Sequence, residues 1–110
     1  MTGAIQVITT TGTKQDANKV ARALIEARLA ACVQVVGPVT SRYWWDDEIE
    51  EAEEWLCLIK TTASLFERLE EAIRAAHPYD VPEILATPVV AGSADYLAWL
   101  REEVHPTPES

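Results

Sequence analysis

One stretch of this 110-residue chain, from Ala30 to Thr62, decides the fold: "AACVQVVGPVTSRYWWDDEIEEAEEWLCLIKTT". Two segments in it, Ala30–Trp45 and Glu48–Thr62, are rich in the apolar, β-branched and aromatic residues that favour strands. The two aspartates between them are typical of a turn. The sequence therefore predicts one long β-hairpin, with a bulge or bend at Gly37-Pro38 and an edge position for the proline.

The predicted hairpin is too long for the domain that carries it. At roughly 3.3 Å per residue its arms reach on the order of 45 Å, whereas a compact domain of this length has a radius of gyration of about 13 Å. Part of the hairpin must therefore project beyond its own core, with Tyr43, Trp44 and Trp45 near its tip. Because unpaired strand edges and large exposed apolar surfaces favour association, we expect the chain to form an oligomer.

The remaining elements are shorter and alternate between strand and helix patterns. Their predicted bounds are a strand at Ala4–Thr10, a helix at Lys14–Leu29, a helix opened by a Ser64–Glu67 capping box and running to Ala76, a strand at Glu83–Gly92, and a helix at Ser93–Val104 capped by Ser93. With the hairpin, the order β-α-β-β-α-β plus a terminal helix predicts an α+β two-layer sandwich of the ferredoxin-like type. We expect a single domain over residues 1–104, followed by a mobile, proline-containing tail at 105–110.

Charge and composition exclude several functions. The formal net charge is −9, and such a surface repels nucleic-acid backbones and anionic lipid, whereas it accepts a metal cation or a basic partner more easily. No apolar run approaches the roughly 20 residues of a membrane span, and the first residues lack a secretion signal, so we expect a cytoplasmic protein. Cys32 and Cys57 are then expected to be free thiols that act as buried, small apolar residues within strands.

Chemistry-bearing motifs are few. The sequence has no glycine-rich phosphate-binding loop, and Ser41, His77 and Asp80 lack the local signature of a catalytic triad. We therefore expect no enzymatic activity. The run Asp46–Glu54 holds seven acidic residues in nine positions. It is either a patch that attracts cations or a solvated hairpin arm whose charges block edge-to-edge aggregation.

The segment "HPYDVPEI", residues 77–84, can be neither helix nor central strand. Its first proline ends the preceding helix, and its second prevents regular strand pairing, so the segment is held extended. A rigid turn explains the prolines, but a site also explains why His77, Tyr79 and Glu83 lie together. From the local sequence, His77 is either a helix-terminal residue that meets the negative end of the helix dipole or a ligand for a metal.

Five segments together resemble the CutA family of divalent-cation tolerance proteins: "RLAACVQVV", "SRYWWDDEIEEAEEW", "LIKTT", "HPYDVPEI" and "DYLAWL". The resemblance runs from about Ile5 to Leu100. It implies a ferredoxin-like subunit similar to the PII signalling proteins, and a tight homotrimer in which the long hairpins interlock the sheets. It also implies a cytoplasmic, copper-binding protein linked to metal tolerance.

The resemblance also implies a set of metal ligands, which this chain matches only in part. The copper site proposed for the family uses a cysteine at the end of the first strand and a pair of histidines before the proline. Here those positions hold Thr9 and the pair Ala76-His77, so the soft thiolate that favours Cu(I) is missing. The metal ligands predicted for this chain are therefore His77 and Glu83, which would bind copper or another divalent cation.

In a trimer of this kind, we expect one polar cleft at the subunit boundary. Its predicted lining is Lys60, His77, Tyr79 and Glu83 from one subunit, with Tyr43 and Trp45 from the adjacent hairpin. Three functions remain open from the sequence. The trimer could bind a metal cation, act as a PII-like sensor with a small-molecule or protein ligand in the cleft, or serve as an assembly scaffold.

Overall fold

In this computed structural model, which describes residues 2–108, a four-stranded antiparallel sheet of order β2-β3-β1-β4 forms one layer of the subunit. The predicted α+β, ferredoxin-like order with a terminal helix is confirmed. No helix among residues 2–108 is long and apolar enough to cross a membrane. The elements are β1 (Ala4–Thr11), α1 (Lys14–Glu26), β2 (Cys32–Trp45), β3 (Glu48–Thr62), α2 (Phe66–Ala76), β4 (Leu85–Pro88) and α3 (Ala94–Glu103).

The core lies between one face of the sheet and the helices α1 and α2. Alternate residues of the two central strands point into it, and Val7 of β1 pairs directly with Ile59 of β3. The apolar stripes of the helices complete the layer with Val20, Leu24, Leu69 and Ile73, all fully buried. The opposite face of the sheet, which we call the open face, carries the intervening residues.

The predicted long hairpin is present and projects. Trp45 pairs with Glu48 across a two-residue turn, where Asp46 and Asp47 both have positive φ values of 54° and 64°. Such a turn matches the twist of the two strands that it joins. Residues 42–51 are all exposed, and the subunit extends 44 Å along its longest axis, with a radius of gyration of 14.6 Å. The outer half of the hairpin therefore has no core of its own.

The predicted bulge in β2 is also confirmed. The pairing register shifts between Val36 and Val39, so Gly37 and Pro38 fall outside the ladder on a strand at the edge of the sheet. A Cβ atom at Gly37 would lie 2.6 Å from the indole ring of Trp55. This close approach requires glycine.

Helix α1 ends earlier than the predicted Leu29. Arg28 has a φ of 59°, and the backbone N–H groups of Arg28 and Leu29 donate to the carbonyls of Ile25 and Leu24. These bonds are those of a Schellman ending, which usually places glycine where Arg28 stands. Because no glycine marks this position, the apolar spacing alone extended the predicted helix too far.

The predicted capping box at Ser64 and Glu67 is wrong. A 3₁₀ turn at Ala63–Leu65 follows β3 directly, and α2 begins only at Phe66 without a side-chain cap. The Ser64 hydroxyl instead shares a hydrogen bond with the hydroxyl of Thr62, at 3.2 Å. With no loop between strand and helix, the chain tightens into a 3₁₀ turn.

The C-terminal elements are shorter than predicted. β4 covers only the middle of the predicted Glu83–Gly92 strand, and its last residue, Pro88, pairs with β1 at the sheet edge. Ser93 precedes α3, but its hydroxyl makes no capping bond, and Asp95 Oδ1 accepts from the N–H of Tyr96 instead. Of the predicted tail, residues 109–110 lie outside the described residues.

Two buried threonines provide a matched test of the core. Both Thr9 and Thr61 are fully buried, but the Thr61 hydroxyl donates to the carbonyl of Leu29 at 2.7 Å, whereas Thr9 Oγ1 has no hydrogen-bond partner within the described chain. A buried hydroxyl without a partner costs roughly 1–3 kcal/mol. We therefore expect Thr9→Val to raise the free energy of unfolding by about 1 kcal/mol, and Thr61→Val to lower it by a similar amount. Urea unfolding of both variants measures this, and equal effects would contradict it.

Candidate functional site

A cavity of about 640 Å³ lies between the outer half of the hairpin and the segment at residues 77–84. We call it the hairpin cavity. Its walls combine three aromatic side chains with four carboxylates: Tyr43, Trp45, Tyr79, Glu50, Glu54, Asp80 and Glu83. A volume of this size is typical of small-ligand sites, which range over roughly 300–1,000 Å³.

The hairpin places its share of these residues by simple alternation. Tyr43 and Glu50 are direct cross-strand partners, and Trp45 pairs with Glu48 two positions further out. Side chains two residues apart along a strand point to the same face, so Tyr43, Trp45 and Glu50 all border the cavity. Glu54, four residues along β3 from Glu50, continues this row and is only 8% exposed.

His77 fixes the other wall. Pro78 ends α2, and His77 takes an extended conformation, as predicted. The ring is buried; its Nε2 donates to the carbonyl of Thr10 at 2.6 Å, and its Nδ1 accepts from the N–H of Tyr79 at 3.1 Å. Since a carbonyl can only accept, this arrangement defines the neutral ring with its proton on Nε2. Both ring nitrogens are thus engaged in holding the segment against β1.

Tyr79 joins this segment to the hairpin. Its hydroxyl donates to Glu54 Oε2 at 3.2 Å, and its ring lies 4.8 Å from that of His77. Burial raises the pKa of Tyr79, and the charge and hydrogen bond of Glu54 raise it further, so the phenol remains protonated and continues to donate. A Cβ atom at Gly12 would lie 3.1 Å from this hydroxyl, so glycine leaves it room.

Within one subunit, the residues that were predicted to line one cleft do not all lie together. Tyr43, Trp45, Tyr79 and Glu83 border the hairpin cavity together. His77 does not border it, because its ring is turned into the fold. Lys60 lies elsewhere on the open face, where its Nζ donates to Gln6 and Gln34 and its chain borders a separate cavity of about 310 Å³ beside α3.

Sequence reasoning missed Glu50, Glu54 and Arg42 as residues of this cavity. The signal for the two glutamates was present, because a two-residue turn at Asp46-Asp47 fixes which hairpin residues face one another. The burial of Glu54 depends on Tyr79, which approaches from a distant part of the sequence. Arg42 also borders the cavity, and its Nε is paired with Glu51 at 2.8 Å.

A copper ion does not fit the side chains of a single subunit. Within residues 2–108, no three His, Cys, Asp or Glu side chains are grouped to hold a metal ion. Thr9 faces the core, both nitrogens of His77 are occupied, and Cys57 is buried, where desolvation raises its pKa to about 11 and its Sγ donates to the carbonyl of Ala17. Cys32 is only half-buried, on β2. With the Cys57 thiol protonated and both nitrogens of His77 occupied, the carboxylates are the charged donors that border the hairpin cavity.

The family profile described as "CutA1 divalent ion tolerance protein" matches residues 5–103. The chain therefore belongs to the CutA1 family, whose members are not enzymes. The divalent-cation tolerance protein CutA of Thermus thermophilus is 48% identical over 96 residues, which cover 87% of this chain and 93% of that protein. The human protein CutA is 46% identical over 86 residues, but the match covers only 48% of its length.

Solved structures agree with this assignment. The divalent cation tolerance protein of Thermus thermophilus matches with a TM-score of 0.91 and 45% identity, covering 93% of this chain and 99% of that one. A protein described as the periplasmic divalent cation tolerance protein CutA from Archaeoglobus fulgidus matches with a TM-score of 0.90 and 32% identity, again covering 93% and 99%.

The contact between Tyr79 and Glu54 predicts a pH effect. Because the folded-state pKa of Tyr79 lies above its ordinary value of 10.0, its contribution to stability is fully present below that pH and is lost as the pH rises through the folded value. We expect the free energy of unfolding to fall more steeply at alkaline pH in the native protein than in Tyr79→Phe. Urea unfolding across this pH range measures both slopes, and identical slopes would contradict the assignment.

Proposed function

We propose that the chain works as a homotrimeric, divalent-cation tolerance protein, with the hairpin cavity as part of a ligand-binding cleft at the subunit boundary. The main observation in support of association is the exposed outer half of the hairpin. Trp44, Trp45 and Ile49 are 72%, 59% and 67% exposed at its tip. Apolar surface of this kind marks an interaction site in a stable protein.

The free edges of the sheet support a closed ring. β2 and β4 are its two edge strands, and they differ in length and sequence. Contact between the β2 edge of one subunit and the β4 edge of the next would join unlike surfaces, and such head-to-tail contacts close into rings when the rotation permits. A ring of three also fits the interlocked hairpins that the family resemblance implies.

The charge of the cleft supports the proposal that it binds a cation. Four carboxylates border the hairpin cavity, and Arg42, the cation on its wall, is already paired with Glu51. Carboxylate oxygens are ligands for divalent cations. Of the two predicted metal ligands, Glu83 is the one that borders the cavity. His77 would have to lose its hydrogen bond from the N–H of Tyr79 before its Nδ1 could bind a metal. Copper remains a prediction, and its coordination would need donors from more than one subunit.

A PII-like role is the second candidate. The aromatic walls and the volume of the hairpin cavity favour an organic ligand as well as an ion. Binding at the boundary between subunits would then report the presence of that ligand to a partner protein. The cytoplasmic location also remains a prediction, because one relative is described as periplasmic and another, from rice, as chloroplastic.

Sedimentation velocity tests the assembly. We expect the native protein at low micromolar concentration to sediment with about three times the 12.2 kDa mass of the subunit. Its unfolding midpoint should rise with protein concentration, because association stabilises the folded state by mass action. A folded monomer whose midpoint does not depend on concentration would overturn the proposal.

Calorimetric titration with Cu(II) and Mg²⁺ tests the cation site. We expect Glu83→Gln to weaken cation binding without changing the mass of the assembly, because it removes one charged oxygen ligand. His77→Ala tests the histidine, and its effect should be smaller than that of Glu83→Gln. The matched control is Glu67→Gln, an exposed acid on α2. If Glu83→Gln and Glu67→Gln behave alike, Glu83 is not a ligand.

A further inference from the structure

The hairpin cavity contains two separate pairs of an aromatic ring and a carboxylate. In the first, Tyr43 and Glu50 are direct cross-strand partners, which places their Cβ atoms about 4.5–5.5 Å apart. In the second, the Tyr79 hydroxyl donates to Glu54. Both pairs border the same cavity. An aromatic ring and a carboxylate that border one cavity both attract an organic ammonium group, the ring through its π electrons and the carboxylate through its charge.

The two pairs are too far apart for one metal ion to bind the carboxylates of both. Glu50 and Glu54 lie four residues apart on β3, which separates their Cα atoms by roughly 13 Å. A metal ion holds carboxylate oxygens at about 2.0–2.6 Å, so two oxygens on one ion lie within about 5 Å of each other. Glu54 cannot shift toward Glu50 without giving up its bond from Tyr79.

The burial of Glu54 distinguishes it from the acidic residues that only keep a hairpin arm solvated. An acid whose only role is to keep a strand edge soluble would be exposed, as Glu50 and Glu51 are, but Glu54 is 8% exposed. It accepts one hydrogen bond from Tyr79, and a carboxylate has about four acceptor positions. A second donor from a ligand can therefore still bind.

We propose that the hairpin cavity binds a linear organic polycation, a diamine or polyamine, with one ammonium group at the pair Tyr43–Glu50 and another at the pair Tyr79–Glu54. The alkyl chain between the ammonium groups lies along the part of the cavity wall between Tyr43 and Tyr79. The inference rests on the proposed function in one respect, since the cavity must stay open to solvent in the trimer. The ligand differs from that of the proposed function, because an organic polycation binds here without a metal ion.

Isothermal titration of the full-length protein at constant ionic strength tests this, with spermidine, propylamine and Mg²⁺ as probes. Spermidine should bind at least about tenfold more tightly than propylamine, a difference of about 1.4 kcal/mol, because only spermidine reaches both pairs. Glu50→Gln and Glu54→Gln should each reduce the affinity for spermidine to near that of propylamine. Glu67→Gln should leave it unchanged.

The variants separate a built site from general attraction to an acidic protein. Glu54→Gln could disturb Tyr79, but Glu50 is exposed and its replacement leaves that contact in place. The inference is overturned if Glu50→Gln binds spermidine as the native protein does, or if spermidine binds no more tightly than propylamine or Mg²⁺. If spermidine fails while Glu83→Gln still weakens divalent-cation binding to the trimer, the proposed function stands and this inference alone is rejected.

Discussion

The pairing of Trp45 with Glu48 across the Asp46-Asp47 turn is the constraint on which the rest of the structure depends. It sets the register of the hairpin from the turn inward to Val39, and a shift of one residue there would turn every side chain to the other face. β3 itself continues unbroken past the register shift at Gly37-Pro38, so the alternation that turns Glu50 and Glu54 to the hairpin cavity also turns Cys57 and Ile59 into the core. The core and the candidate site therefore share one strand, β3.

The hairpin also creates the principal conflict of the subunit. A ladder of this length supplies its own backbone hydrogen bonds, but the two helices cover only its inner half, and residues 42–51 remain exposed. The segment at residues 77–84 offsets part of this exposure, since His77 holds it to β1 and Tyr79 reaches Glu54. The aromatic tip has no such cover, and we infer that another subunit supplies it.

Much of the fold could be predicted from the sequence because its strongest signals are long. The hairpin strands were predicted to within two residues, whereas helix ends failed where Arg28 takes a conformation that usually signals glycine. The site was predicted less well because it depends on contacts across the chain. The sequence predicted that Lys60, His77 and Tyr79 line one cleft. In the folded chain, Lys60 lies on the open face and the His77 ring points inward. The burial of Glu54 could not be predicted, because it results from contacts with residues distant in the sequence.

Hydrogen exchange of β2 tests the central claim most directly. Every second N–H of the segment at residues 39–45 points away from β3, so in an isolated subunit these amides have no partner and exchange with solvent rapidly. If neighbouring subunits cover the outer hairpin, these amides of β2 should exchange as slowly as the amides of the central strand β1. Rapid exchange throughout this segment in the native assembly would contradict the claim that another subunit covers the hairpin.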